Sequence, residues 1–209
     1  MSQFFRTELP PALERHEEYR PFLRRDFSFV CAYCERPEVV LGGEEFFEVD
    51  HFRPVKKFPD LRVHYSNLYY ACGKCNRHKA DTWPSENLIE QGFRFADPCE
   101  EDMYLNHLNE GQNGELKERT KVGGYTCEHI RLNRPALLAW RLERRGIAAD
   151  LLTLQALREN LALHLQTASG SDLHERVSEQ IAALDSTISR LRQRSSDHPN
   201  YDRRGEWEI

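Results

Sequence analysis

Four cysteines fall in two close pairs, Cys31-Ala32-Tyr33-Cys34 and Cys72-Gly73-Lys74-Cys75, with Asp50-His51 between them and Asn76 directly after. Four thiolates spaced this way fit a tetrahedral zinc ion, and with every position filled by sulfur the ion has no place for water, so its role would be structural. His51 suits a general base, since a neutral imidazole takes a proton from water near physiological pH. Asp50 offers a hard carboxylate and Asn76 a hard carbonyl oxygen, a pair suited to one Mg2+ or Mn2+ that keeps several waters. Such an ion could meet a phosphate oxygen and a departing alkoxide while His51 activates water from the opposite side. Each residue alone has a plain structural reading: a strand-end histidine, a turn aspartate, a helix-surface amide. Their grouping between two cysteine pairs favours chemistry.

The charge pattern points the same way. The chain of 209 residues carries a net charge of −5, which argues against a general nucleic-acid binder. Yet residues 51–79 hold Arg53, Lys56, Lys57, Arg62, Lys74, Arg77 and Lys79 against the single acid Asp60, a local charge of +6. A positive patch inside an acidic protein suits a polyanion held at one place. The chain is 30% charged and 39% hydrophobic, able to bury a core. No apolar run reaches the roughly 18 residues of a membrane span, and the N-terminus lacks signal-peptide order, so a cytoplasmic location is expected. In that reducing compartment paired cysteines favour metal over disulfide, and Cys99 and Cys127 read as buried thiols.

Three parts must position these residues. Residues 1–26 read as an N-terminal extension with two short helical turns interrupted at Pro21. Residues 27–95 hold the motif: a strand at 29–31, a second at 46–49 delivering Asp50 and His51, a third at 68–71, then a short helix bearing Cys75, Asn76 and Lys79 that ends at Trp83-Pro84. A unit this small needs its metal to be stable. Residues 96–209 read as mostly helical after a loop-rich stretch to 124, with helices at 134–145 and 151–166. A longer helix opens at Asp172, with Glu175 as its capping-box partner. Val177, Ile181, Leu184, Ile188 and Leu191 form a stripe that fits a hairpin folded on Leu154, Leu157, Leu161 and Leu165. A dimerising coiled coil is the alternative. The tail, 195–209, is polar and expected to be poorly ordered unless Trp207 docks. The fold class is α+β.

The order of CxxC, Val49-Asp50-His51-Phe52-Arg53-Pro54, Asn67-Leu68 and Cys72-Gly73-Lys74-Cys75-Asn76-Arg77-His78-Lys79 resembles the HNH endonuclease family, whose core is a ββα-metal finger. The resemblance covers residues 29–83. It implies that His51 is the general base, that Asp50 is a metal ligand, and that Asn67 braces the loop holding the histidine. Asn76 then takes the last motif position, with His78 as a competing ligand. Lys79 corresponds to a basic position that meets phosphate, with Arg53 and Arg77 as helpers; Lys56, Lys57 and Lys74 extend this candidate nucleic-acid surface. The run Thr126-Cys127-Glu128-His129-Ile130-Arg131-Leu132-Asn133-Arg134-Pro135, after Asp97-Pro98, is similar to small HNH proteins of retron and Septu-type anti-phage systems. Those commonly work beside an ATPase or another sensor. A local reading of the same run makes Asn133 a helix cap and Pro135 a first-turn residue.

The expectation is a metal-dependent endonuclease that hydrolyses DNA, leaving a 5′-phosphate and a 3′-hydroxyl as the resemblance implies. Phosphate contacts carry little sequence information, so weak sequence preference is expected. Two rivals stand: a zinc-stabilised nucleic-acid-binding or adaptor module without catalysis, and a nuclease for structured RNA. A homodimer through the long C-terminal helix would allow double-strand cutting.

Overall fold

A computed structural model describes residues 4–6, 9–167 and 170–196 of the chain. They fall into two compact units, 1–139 and 140–209, and the fold is α+β.

The first unit is built around an antiparallel pair, β1 (Phe47–His51) and β2 (Leu68–Cys72), in which Phe47 faces Cys72, Asp50 faces Tyr69 and His51 faces Leu68. Every residue of β2 is buried. The cause lies in its aromatic side chains, which pack on both faces. Tyr69 meets the rings of Phe52 at 5.0 Å and Phe27 at 5.4 Å, while Tyr70 stacks on Phe47 at 4.5 Å. β2 runs directly into α3 (Gly73–Lys79), completing strand, strand and helix. The junction is close: a Cβ on Gly73 would lie 2.9 Å from Glu48 Oε1 of β1, so a larger residue there would displace the tip of that side chain.

The expected N-terminal extension shares this core. A 3-10 turn (His16–Tyr19) leads into α1 (Arg20–Asp26), where Pro21 lies in the first turn and starts the helix instead of interrupting it. Tyr19, Leu23 and Phe27 are buried with β2, and Phe4 packs on Phe27 at 4.8 Å. Arg6 clips the segment down by donating to the carbonyls of Tyr65 and Leu68, both at 2.8 Å, with its guanidinium over the Tyr65 ring. The core also runs past residue 95, through Phe95, Met103, Leu108 and Leu132.

Several local expectations give way. The strand at 29–31 is a single bridge, Val30 to Pro37, because Ser28 and Phe29 adopt left-handed φ of 51° and 61° that extended backbone cannot accommodate. In place of the strand, α2 (Glu38–Leu41) follows the first cysteine pair. The helix α3 stops at Lys79, before Trp83-Pro84, where Ala80 turns to φ 45°. After α4 (Glu86–Glu90), the stretch read as loop holds α5 (Met103–His107), a hairpin of β3 (Leu108–Glu110) and β4 (Leu116–Glu118), and α6 (Lys121–Ile130). Two glycines in α6 hide it from propensity; they let it press on the His107 carbonyl and on Glu118. Asn133, read locally as a helix cap, also reaches the β hairpin. Its side chain accepts from Leu116 N–H and donates to Leu116 C=O, each at 2.8 Å, holding β4.

The second unit is helical. α7 (Pro135–Thr167) begins in the first unit and continues through the second, uninterrupted at Gly146, and α8 (Ser171–Ser196) follows. One helix thus replaces the two expected at 134–145 and 151–166. Ile147, Leu151 and Ile188 form a buried cluster with Leu154 and Leu191 against it, and Arg158 pairs with Asp185 at 2.8 Å, so the helices pack as a hairpin. Leu157 lies off the stripe and is exposed. Asp172 sits in the first turn of α8, not at its cap. Beyond Ser196 the expected tail, with Trp207, lies outside the described residues. No helix among them is long and apolar enough to cross a membrane.

The hairpin beside the finger is tied by a polar chain. Glu101 accepts from Arg94 and from His107 Nε2 (2.8 Å), whose Nδ1 meets Thr120 Oγ1 at 2.8 Å. Burial would raise the Glu101 carboxyl, but these hydrogen bonds bring it down to about 2. A depressed folded-state value stabilises above the ordinary carboxyl value of 4.5, and that stability is lost as pH falls toward 2. Glu101→Gln is therefore expected to be less stable than wild type at neutral pH, with the gap closing between about pH 4.5 and 2 in denaturant titrations.

Candidate active site

The four sulfurs of Cys31, Cys34, Cys72 and Cys75 are buried and lie within 4.8 Å of one another. Sγ of Cys34 and Cys72 are 3.9 Å apart, close to the ~3.8 Å edge of a tetrahedron with metal–sulfur bonds of ~2.3 Å. Burial pushes the Cys31 and Cys75 thiols up, whereas Cys72, hydrogen-bonded by its neighbours Cys31, Cys34 and Cys75, is drawn down. Four thiolates this close need a cation, and the donor set could hold zinc. Around it the Cys72 N–H donates to Cys31 Sγ (3.3 Å) and Arg134 Nη2 to Cys75 Sγ (3.2 Å). A guanidinium there offsets part of the sulfur charge. The local chain geometry suits the knuckle: Glu35, at φ 56°, turns the chain so that its N–H reaches Cys31 C=O at 2.9 Å.

The same cysteines anchor the reactive residues. Cys72 ends β2 across from Phe47 at the start of β1, and Cys75 lies one residue before Asn76 in α3, while Asp50 and His51 close the far end of β1. Asp50, His51 and Asn76 line one cleft of about 290 Å³, together with Arg77. His51 Nε2 sits 2.8 Å from the Arg62 carbonyl. A carbonyl only accepts, so Nε2 carries the hydrogen and Nδ1 keeps the lone pair able to take a proton. Asn67 braces the intervening loop three ways. Its Oδ1 accepts from Arg53 N–H (2.9 Å), and its Nδ2 donates to Arg53 C=O (3.0 Å) and Leu61 C=O (3.4 Å).

Asp50 is only 4% exposed. It accepts from the Tyr33 hydroxyl and from Lys79 Nζ, 3.0 Å away. Lys79 is 0% exposed and also donates to the His51 carbonyl at 2.6 Å. This corrects the expectation that Lys79 meets phosphate: its ammonium neutralises Asp50 inside the protein and holds the strand end in place. Asn76 Nδ2 donates to Glu48 Oε2 at 2.7 Å, which leaves Oδ1 for another partner. A carboxylate has about four lone-pair sites, so Asp50 retains capacity beyond Tyr33 and Lys79, and with Asn76 Oδ1 the cleft fits one hard divalent ion. His78, expected as a competing ligand, does not line the cleft. It lines a separate groove with Lys74 and Arg134, and burial together with Arg134 and Arg131 holds it below the usual imidazole range.

Of the other expected basic residues, Arg53 is exposed and lies over the rings of Phe58 and Trp83, and Lys57 Nζ donates to Trp83 C=O at 2.9 Å. Lys56 and Lys74 are exposed, and Arg77 pairs with Glu48 at 3.7 Å. Sequence reasoning passed over Tyr33, Glu48 and His16. Glu48 was readable from strand period, two residues before Asp50 on the same face. Tyr33 lies inside the first CxxC pair, where only the fold reveals its reach. His16, from the N-terminal turn, places its ring 4.6 Å from that of His51; burial and the neighbouring His51 hold it below the usual imidazole range.

Residues 31–82 match the family model described as HNH endonuclease. The chain carries an HNH endonuclease domain. No curated protein and no solved structure gives a match. The matched segment of the HNH domain opens at the first cysteine of the cluster and closes just past α3, so it contains Asp50, His51, Asn67 and Asn76.

Two outcomes follow for this site. Lys79→Ala leaves a buried carboxylate unpaired and is expected to cost about 3–5 kcal/mol in urea denaturation; a phosphate-contacting lysine would leave stability unchanged. Cys72→Ser is expected to lower bound metal, measured by plasma mass spectrometry, and to lower the thermal midpoint as strong chelation of wild type does.

Proposed function

We propose that this protein is a metal-dependent endonuclease hydrolysing DNA, with zinc in the four-cysteine knuckle. The observation that carries the reading is that Asp50, His51 and Asn76 line one cleft, with the His51 Nε2 edge held at the Arg62 carbonyl so that Nδ1 is the nitrogen left to take a proton. Nδ1 takes a proton from the water that attacks phosphorus. The P–O3′ bond breaks and the departing O3′ takes a proton from solvent, leaving a 5′-phosphate and a 3′-hydroxyl. Asp50 and Asn76 Oδ1 would hold one Mg2+ or Mn2+, which when bound supplies charge neutralisation at a phosphate oxygen and at the departing alkoxide. Arg77 on the cleft, with the exposed side chains of Arg53, Lys56, Lys57 and Lys74 as further basic contacts, seats the backbone through phosphates, so sequence preference is weak.

A setting in anti-phage defence, beside an ATPase or sensor, rests on the likeness of the run 126–135. The long helices of the second unit offer a route to a homodimer. A non-catalytic adaptor is the rival from another class; the presence of both Asp50 and His51, on one cleft with Asn76, speaks for catalysis.

Supercoiled plasmid cleavage tests the reading. Wild type is expected to cut with Mg2+ or Mn2+ and to stop with EDTA, while His51→Ala, still folded and metal-loaded, loses at least about 10²-fold in rate with DNA affinity unchanged. Equal loss of binding and cleavage would favour the adaptor, and preferential cutting of a structured RNA in the same assay would move the substrate class.

A further inference from the structure

His51 stands at the end of β1, half-buried, and its hydrogen bond to the Arg62 carbonyl restrains one edge of the ring. An in-plane bond at a single nitrogen leaves the ring plane free to swing about that contact. A second contact would limit that swing, and His16 supplies one: its ring centre lies 4.6 Å away at an interplanar angle of 52°. We propose that His16 is a positioning residue of the catalytic site, whose ring packs on His51 and keeps Nδ1 aimed into the cleft. The inference rests on the nuclease reading for its kinetic consequence but not for its geometry.

His16 is itself held from several directions. Its Nδ1 lies 3.4 Å from Glu17 Oε2, and its side chain is 23% exposed. The turn that bears it is closed by Arg15 N–H to Glu18 Oε2 (3.2 Å) and Glu18 N–H to Arg15 C=O (3.1 Å). At the other end of the turn Tyr19 is buried, with its ring 5.3 Å from that of Tyr65. Tyr65 opens the 3-10 turn Tyr65–Asn67, so the residue that braces the histidine loop and the residue that packs on the histidine ring are fixed to one aromatic contact. A catalytic group needs orientation within about 10–20° of its productive geometry, and misplacement by about 1 Å costs on the order of 10²-fold. The segment before the matched domain thereby becomes part of the site.

The test compares wild type with His16→Ala and His16→Phe, each checked for bound zinc and for far-UV circular dichroism. His16→Ala is expected to lower kcat by about 10- to 100-fold with KM little changed, and His16→Phe, which keeps a ring in place, to recover most of that loss. Long-range ¹H–¹⁵N spectra of the histidine rings give a readout without turnover. Wild type and His16→Phe should show His51 as a single Nε2–H tautomer, and His16→Ala a mixture. Kinetics and tautomer unchanged in His16→Ala would overturn the proposal. So would equal losses in both variants, which would give His16 a direct role through its nitrogen, or a change confined to KM, which would make it a substrate contact. If wild type cuts no substrate, the spectra alone decide, so failure of the nuclease reading and failure of this one are distinct results.

Discussion

Four sulfurs within 4.8 Å of one another cannot all carry charge unless a cation sits among them, and the finger depends on that requirement. The knuckle joins the turn at 31–34 to the point where β2 becomes α3, the helix that carries Asn76. The strand pair sets Asp50 and His51 opposite Tyr69 and Leu68, and the helix sets Asn76 across from them. The arrangement separates two tasks. Sulfur could hold a closed metal position that fixes the backbone, while on the proposed reading the oxygen donors on the cleft would serve a second, exchangeable ion.

Inside this frame a buried pair does work that a surface charge could not. Lys79 and Asp50 lie among the aromatic side chains with almost no water contact, and the ammonium also holds the His51 carbonyl. Pairing two charges in the interior adds little net stability over an apolar pair, but removing one partner is costly. Its worth is directional: the pair allows one backbone arrangement at the strand end, and the neighbouring imidazole inherits that arrangement.

The candidate site residues were legible in the sequence because they obey local spacing. Two residues separate each cysteine pair, Asp50 and His51 are adjacent, and Asn76 follows its cysteine directly. The strands 47–51 and 68–72 were readable from their apolar and aromatic runs. What stayed hidden was long-range pairing. Lys79 looked like one more member of a basic patch, and nothing in its neighbours told that it points inward to a carboxylate twenty-nine residues back. His16 lies thirty-five positions before His51, in a charged segment without an apolar period. Helix α6 was obscured by Gly123-Gly124, whose missing side chains serve packing against His107 and Glu118. The left-handed residues Ser28 and Phe29 turned an apparent strand into a bend, a choice the knuckle imposes and local propensity opposes.

The anchoring of the N-terminal segment has a consequence for how such a domain can be inherited. Phe4, Arg6, Tyr19, Leu23 and Phe27 cover the aromatic residues of β2, and they all precede the stretch that bears the family likeness. A gene fragment encoding only residues 31–82 would carry every residue of the motif and yet leave the Tyr69 flank open to water. What recombination can recognise as a module is thus smaller than what physics requires to fold, and any transfer of the matched domain to a new host chain must bring along, or reinvent, a lid for that strand.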